Sequence, residues 1–261
     1  MRLAVIAGAT LAVAAVSSAQ ASAWAQKKGQ AQVIAKAEVM RATQGYDRSG
    51  APLPLPAPRE DRAAGVFAEY GLTDRITLQL KGDWQSGEDA FVDYSGRGPV
   101  EIGLTWQAWR DDHAAVSLYA GYADGGQGRN AGYAAPGVGD SDWEVRVAAG
   151  RGFGAPAAVA GRWGADRMFV ETQLARRRRD GLPDEVRADL TAGAHFGADW
   201  TVLVQAFGGV TDDDGARWLS VETSVVRHLG RWSLQTGWRR AVAGRETPLA
   251  AGPVVALWRR F

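Results

Sequence analysis

Charged and amide side chains recur at alternate positions through most of this chain, and that spacing limits the chemistry they can do. Lys36 and Glu38, Lys81 and Asp83, Glu144 and Arg146, and Arg187 and Asp189 are each two residues apart. Residues i and i+2 of an extended chain point to the same side. By the same parity Glu69, Glu101, Glu171, Glu222 and Arg239 join them, together with Gln79, Gln107, Gln173, Gln205, Ser117, Tyr119, Thr191 and Ser224. Collected on the inner wall of one enclosed space, such groups either set a transverse field across a water-filled passage or pair across strands and fill it. Both signs are present, with acidic groups in modest excess.

Catalytic arrangements have less to build on. The three histidines, His113, His195 and His228, all fall at or next to predicted turns. Ser117 shares a strand face with His113 but lies too far along it for a direct hydrogen bond, so a lipid hydrolase has no legible nucleophile and base. Asp212-Asp213-Asp214-Gly215 resembles the start of a calcium loop without its downstream bidentate glutamate, and reads as a hairpin turn. No metal or cofactor is expected. Arg176-Arg177-Arg178-Arg179 sits at a strand end, where two guanidiniums face outward, suited to lipopolysaccharide phosphates, and the alternate two face inward. The Gly150-Arg151-Gly152-Phe153-Gly154 string precedes no helical pattern and is not a nucleotide loop.

The elements that must position these residues are strands. In Arg75 to Ser86, Ile76, Leu78, Leu80 and Trp84 face one way and Thr77, Gln79, Lys81, Asp83 and Gln85 the other. A helix would scatter the same residues around its circumference. The same alternation gives segments 30–42, 64–72, 98–109, 113–123, 141–152, 166–176, 184–195, 199–210, 216–227, 231–242 and 251–261, about 12 strands in all. The connection 43–63, with Pro52, Pro54, Pro56 and Pro58, reads as a long loop, as do 87–97, 124–140, 177–183 and 243–250. The opposite end carries tight turns, except at 153–165, a connection long enough to hide an error in the strand count. The fold class expected is an antiparallel up-and-down transmembrane β-barrel over residues 24–261, with Trp200 and Trp232 in one aromatic girdle and Trp84, Trp143 and Trp238 in the other. A soluble β-sandwich or lipocalin-like core is the alternative home for these tryptophans.

Met1 to Ala23 predicts a cleaved export signal: a basic start, an apolar run from Leu3 to Val16, and Ala21-Ser22-Ala23 as an A-x-A site before Trp24. The apolar run is shorter than the roughly 20 residues of a membrane helix. With no cysteine, the 261-residue chain has no disulfide framework, thiol nucleophile or lipoprotein anchor. Its net charge of +1 falls to zero once Arg2 leaves with the signal, which gives no electrostatic footprint for nucleic acid. The 33 glycines, 11 tryptophans and negative mean hydropathy suit a barrel greasy outside and wet inside.

The runs Tyr70-Gly71-Leu72-Thr73-Asp74-Arg75-Ile76-Thr77-Leu78, Gly96-Arg97-Gly98-Pro99-Val100-Glu101-Ile102-Gly103 and Gly137-Val138-Gly139-Asp140-Ser141-Asp142-Trp143-Glu144 resemble the outer-membrane barrels of the phenol meta-pathway type. The resemblance covers residues 64–152. It implies passage of small, aromatic or hydrophobic molecules through a barrel and supplies no catalytic or binding residue. The sequence therefore predicts an outer-membrane barrel for passive passage of small solutes. The pore-lining candidates are Lys36, Glu38, Lys81, Asp83, Glu101, Glu144, Arg146, Glu171, Arg187, Asp189, Glu222 and Arg239. A closed structural barrel, a lipid-modifying enzyme and a soluble periplasmic β-protein are the alternatives. Expected partners are outer-membrane lipid, lipopolysaccharide and the barrel-assembly machinery, the last through the terminal Phe261 with Leu257 and Val255 on its face.

Overall fold

The computed structural model describes residues 23–88, 90, 93–126 and 140–261. All of the predicted export signal except Ala23, and Phe91 and Tyr133 of the predicted loops 87–97 and 124–140, lie outside the described residues. Twelve antiparallel strands close into a barrel: β1 (Ala31–Tyr46), β2 (Pro52–Gly71), β3 (Ile76–Glu88), β4 (Asp93–Arg110), β5 (Ala114–Asp124), β6 (Ser141–Gly154), β7 (Arg167–Arg179), β8 (Glu185–Phe196), β9 (Trp200–Thr211), β10 (Arg217–Leu229), β11 (Trp232–Arg245) and β12 (Ala251–Arg260). Sequential strands pair throughout, and β1 pairs with β12 from Gln32↔Arg260 to Arg41↔Ala251 to close the ring. No helix among the described residues is long and apolar enough to cross a membrane.

The ends of the barrel differ. At the turn end, Asp111 accepts hydrogen bonds from the backbone of both His113 (2.7 Å) and Ala114 (2.7 Å), an Asx-type turn that reverses the chain in three residues. Gly197 and Gly230 supply positive φ at two further turns. The long connection at this end holds a short helix, α1 (Ala157–Trp163), entered from Pro156 and stopped by Gly164 in the left-handed conformation. The extra length is thus a helix and not a missed strand.

At the opposite, loop end several expected loops are strand. Residues 43–63 form a hairpin whose strands run to Tyr46 and Pro52, 87–97 shrinks to the few residues between Glu88 and Asp93, and β11 continues to Arg245. The proline argument fails for a geometric reason. Tyr46, opposite Pro52, sends its N–H to Thr247 and not to β2, so Pro52 and Pro54 turn their missing donors away from β1. On that side β3 pairs only as far as Glu60↔Glu88, leaving an edge where no donor is needed. Tyr94, expected in a loop, is in β4 with its hydroxyl on Asp61 (2.8 Å).

The outer face is apolar in a band. On β3 it runs from Ile76 through Leu78 and Leu80 to Trp84, and neighbouring strands add Ile102, Leu104, Leu118, Val145, Leu174, Leu190, Val204 and Leu234, all exposed or half-exposed. Trp84, Trp143 and Trp238 are exposed toward the loop end, and Trp106, Trp109, Trp200 and Trp232 toward the turn end. Each parity-assigned outward tryptophan is on the outer surface. A soluble β-protein would bury these residues and expose the charges that are instead inside.

Candidate functional site in the barrel lumen

The inner face is not uniformly polar. Ile34, Phe169, Leu203, Val226, Ala256 and Trp258 form a buried apolar cluster, with Phe67 packed against it. These residues share the inward parity of the charges but lie nearer the turn end. Gly193 admits the Phe169 ring: a Cβ there would stand 2.1 Å from its Cε1. Period-two alternation reports which face a residue takes and is silent on how far along the barrel its neighbours lie.

The chain preceding β1 also enters the lumen. Ala23 is fully buried, packed with Ala115, Ala148 and the Trp24 ring. Gln26 donates its backbone N–H to Thr77 Oγ1 (2.9 Å) and its side-chain amide to Glu69 Oε2 (2.9 Å), and Lys28 N donates to Asp74 Oδ1 (3.0 Å). Two inward glycines leave room for it. A Cβ at Gly150 would lie 2.3 Å from Trp24 Cη2, and one at Gly71 would lie 2.1 Å from the Lys27 carbonyl oxygen. Nothing in the alternation of the strands signals that this segment folds inward.

Between this packed end and the loop end lies a cavity of about 360 Å³. Of the charged residues assigned inward as pore-lining candidates, all but Glu171 border it: Lys36, Glu38, Lys81, Asp83, Glu101, Glu144, Arg146, Arg187, Asp189, Glu222 and Arg239. Glu171 faces inward below it, holding Ala23 N (3.1 Å) and Gln173 Nε2 (2.8 Å). Phe67, Tyr119, Phe207 and Trp218 add aromatic wall.

Most of the charges are paired. Glu222, with no exposed surface, binds Arg239 (2.7 Å) and Lys36 (3.6 Å), and Glu38 binds the same two cations at 3.1 and 3.5 Å. A second network joins Glu144 to Arg146 (2.5 Å) and Arg177 (2.6 Å), and Arg177 to Glu101 (2.9 Å). Buried Glu185 collects Arg187 (2.5 Å) and Arg179 (3.1 Å). The partner of Arg187 is therefore Glu185 of its own strand. Arg146 also stacks on Tyr119 (4.3 Å to the ring centroid) and Arg239 on Phe207 (4.8 Å). Lys81 and Asp189 have no ion-pair partner within 4 Å among the described residues, and face the cavity from β3 and β8, nearly opposite around the ring. Of the residues bordering the cavity, the arginines come from β6, β7, β8 and β11, interleaved with Glu144, Asp189 and Glu222 of β6, β8 and β10, while Lys36, Glu38, Lys81, Asp83 and Glu101 come from β1, β3 and β4.

Arg177 and Glu185 were not among the pore-lining candidates. Extending the β7 alternation by three residues, to Arg179, turns Arg177 and Arg179 inward, as the reading of the arginine run required of two of its members. Arg176 and Arg178 face out, but Arg176 is held by Asp212 (2.5 Å) and Asp184 (3.3 Å), so Arg178 is the outward arginine without an ion pair among the described residues. Asp214 is occupied by Arg245 (2.5 Å), which with positive φ at Asp213 and Asp214 makes the aspartate run a turn. Among the described residues no cluster of three or more metal-ligating side chains forms.

The histidines have partners that only the register supplies. Thr201 Oγ1 lies 2.8 Å from both His195 Nδ1 and His228 Nε2, and His228 Nδ1 lies 2.9 Å from Ser233 Oγ. Ser233 is buried and the chain of contacts includes no carboxylate to orient an imidazole, so it braces the turn end as hydrogen-bonded wall.

With this geometry in hand, likeness to solved structures is informative about the fold. The chain matches the COG4313 outer membrane channel from Pseudomonas putida F1 with a TM-score of 0.68 at 13% identity, covering 94% of this chain and 100% of that one. It also matches the NanC porin (TM-score 0.52, 8% identity, 87% of this chain and 98% of that one). The translocator domain of the autotransporter NalP from Neisseria meningitidis is similar as well (TM-score 0.51, 9% identity, 90% of each chain). No family model and no curated protein sequence matches the chain. Identities this low establish a shared fold alone, one common to a channel, a porin and a translocator domain, so function must be argued from the lumen.

Proposed function

We propose that this chain is an outer-membrane channel for passive passage of small solutes. The observation that carries the reading is the charged cavity of about 360 Å³ enclosed by a barrel whose outer face is an apolar, tryptophan-flanked band. A lipid-facing exterior needs a membrane, and a closed barrel satisfies every backbone group within it. Arginines outnumber carboxylates on the β6–β11 side of the cavity and carboxylates outnumber lysines on the β1–β4 side, giving a modest transverse field that orders water and favours dipolar over strictly apolar solutes. Phe67, Tyr119, Phe207 and Trp218 offer rings to a small aromatic solute, in keeping with the resemblance to the phenol meta-pathway type. Outer-membrane lipid and lipopolysaccharide would surround the band, with Arg178 the outward cation best placed for a phosphate, and Phe261 would present the assembly signal.

The test is conductance of the purified protein in planar bilayers, with uptake of small neutral solutes into liposomes as a second readout. Measurable conductance, raised by deleting residues 24–29, is expected. A second reading, a closed structural barrel, is favoured by the inserted segment and the apolar cluster that fill the turn end. Silence of both intact and deleted forms would favour it. A heat-modifiable gel shift in isolated outer membranes tests the location separately.

A further inference from the structure

The lumen holds Ala23 from two walls. Its amide donates to Glu171 Oε2 of β7 at 3.1 Å, and its carbonyl accepts from Gln107 Nε2 of β4 at 3.1 Å. Glu171 is 2% exposed and Gln107 3%. That carbonyl belongs to the Ala23–Trp24 peptide, the bond that an A-x-A processing site would lose. Polar groups so deeply buried are costly unless matched, and here they converge on a point of main chain that exists in its present form only before processing.

We propose that Glu171 is the receptor for the mature N-terminus. Hydrolysis of the Ala23–Trp24 bond by a signal peptidase adds hydroxide to the Ala23 carbonyl carbon and hydrogen to the Trp24 nitrogen. Ala23 departs as a carboxylate with the signal, and the new amine takes a proton. The α-ammonium of Trp24 then replaces the Ala23 amide as donor to Glu171. One residue advances the chain by at most about 3.6 Å, a gap that rotation of the glutamate side chain spans. Gln107, turned over, presents its carbonyl oxygen to the same ammonium. The remainder of the segment needs no rearrangement, because the Trp24 ring sits over Gly150, Gln26 binds Thr77 and Glu69, and Gly29 N binds the Gly71 carbonyl (2.8 Å). The donor facing the Glu171 carboxyl changes from an uncharged amide to a charged ammonium in a desolvated site, so the segment locks into the barrel only after export is complete. This rests on the reading of residues 1–23 as a cleaved signal, and is independent of whether the barrel conducts.

The experiment uses mature protein purified from outer membranes and kept folded in detergent. Intact mass and N-terminal sequencing are expected to give Trp24 as the first residue. Reductive methylation near neutral pH is expected to modify its α-amine about tenfold or more slowly than in the heat-unfolded chain, while the Lys27 and Lys28 amines react alike in both. Glu171→Gln should bring the α-amine to the unfolded rate, and Glu171→Asp should restore part of the protection. If Glu171→Gln does not reach the heat-modifiable folded form, the folded-to-unfolded ratio of the wild type decides by itself. A mature chain beginning elsewhere, an α-amine equally reactive folded and unfolded, or protection unchanged in folded Glu171→Gln would each overturn the assignment.

Discussion

Adjacent residues of β3 should respond oppositely to the same substitution. The apolar band on this strand is bounded by Trp84 at one end and, at the other, by Ile76, which pairs with Trp106. Nine residues span that distance, about 26 Å along the strand, and Leu80 stands at the middle. Leu80→Arg would place a guanidinium near the bilayer midplane at a cost of about 2–4 kcal/mol, or roughly 30- to 700-fold in the folding equilibrium. Gln79, one residue earlier, points inward, and its amide donates to Glu69 Oε1 at 3.0 Å. In Gln79→Arg the guanidinium meets that carboxylate, gaining a charge-assisted bond of about 1.5–3 kcal/mol against the crowding of a longer side chain, for a net change near zero. Denaturant titration of the heat-modifiable form in lipid vesicles measures both variants against wild type. Equal costs on the two faces, or a greater cost at Gln79, would refute the membrane placement of the band.

The lumen offers a second stability test: Glu222→Ala strands Arg239 and Lys36 beside one remaining carboxylate, and should cost about 3–5 kcal/mol in the same titration, with a neutral result arguing that Glu38 alone satisfies both cations. Arg187→Gln removes a positive charge from the β6–β11 side of the cavity and should shift the reversal potential under a salt gradient toward cation selectivity; no shift in a conducting barrel would put Arg187 outside the ion path. At the turn end, the N–H groups of His113 and Ala114 hold the Asp111 carboxyl below its ordinary range. Its stabilising contribution is complete above the ordinary aspartate value of about 3.9 and is lost as pH falls through the lowered folded value, so Asp111→Asn should flatten the acid limb of the stability profile, and an unchanged limb would remove this turn from the acid response. Deleting Phe261 should lower the amount of assembled barrel while leaving export across the inner membrane intact, as read by fractionation and gel shift, and unchanged assembly would exclude the terminal residue as a signal.

How much of this was legible beforehand follows from the range of each interaction. Alternation is local: Leu78 and Gln79 announce their faces through their immediate neighbours, so the strands, their number, the outward tryptophans and the inward charges could be read from sequence alone. Strand ends were legible only where a turn carries its own chemistry, as at Asp111 to His113. They were lost where an unpaired edge made proline harmless, as at Pro52 and Pro54. Which charge meets which depends on register and on the staggering of strands around a closed ring. Arg177 reaches Glu101 across two intervening strands, and His228 finds Ser233 only because β10 and β11 pair in one register. The filling of the lumen is more distant still. Gly150 and Gly71 look like ordinary strand glycines until the barrel closes and brings Trp24 and Lys27 against them. The period-two code fixes the face of each side chain; only closure of the barrel decides which inward faces enclose a charged cavity and which pack shut around the start of the chain.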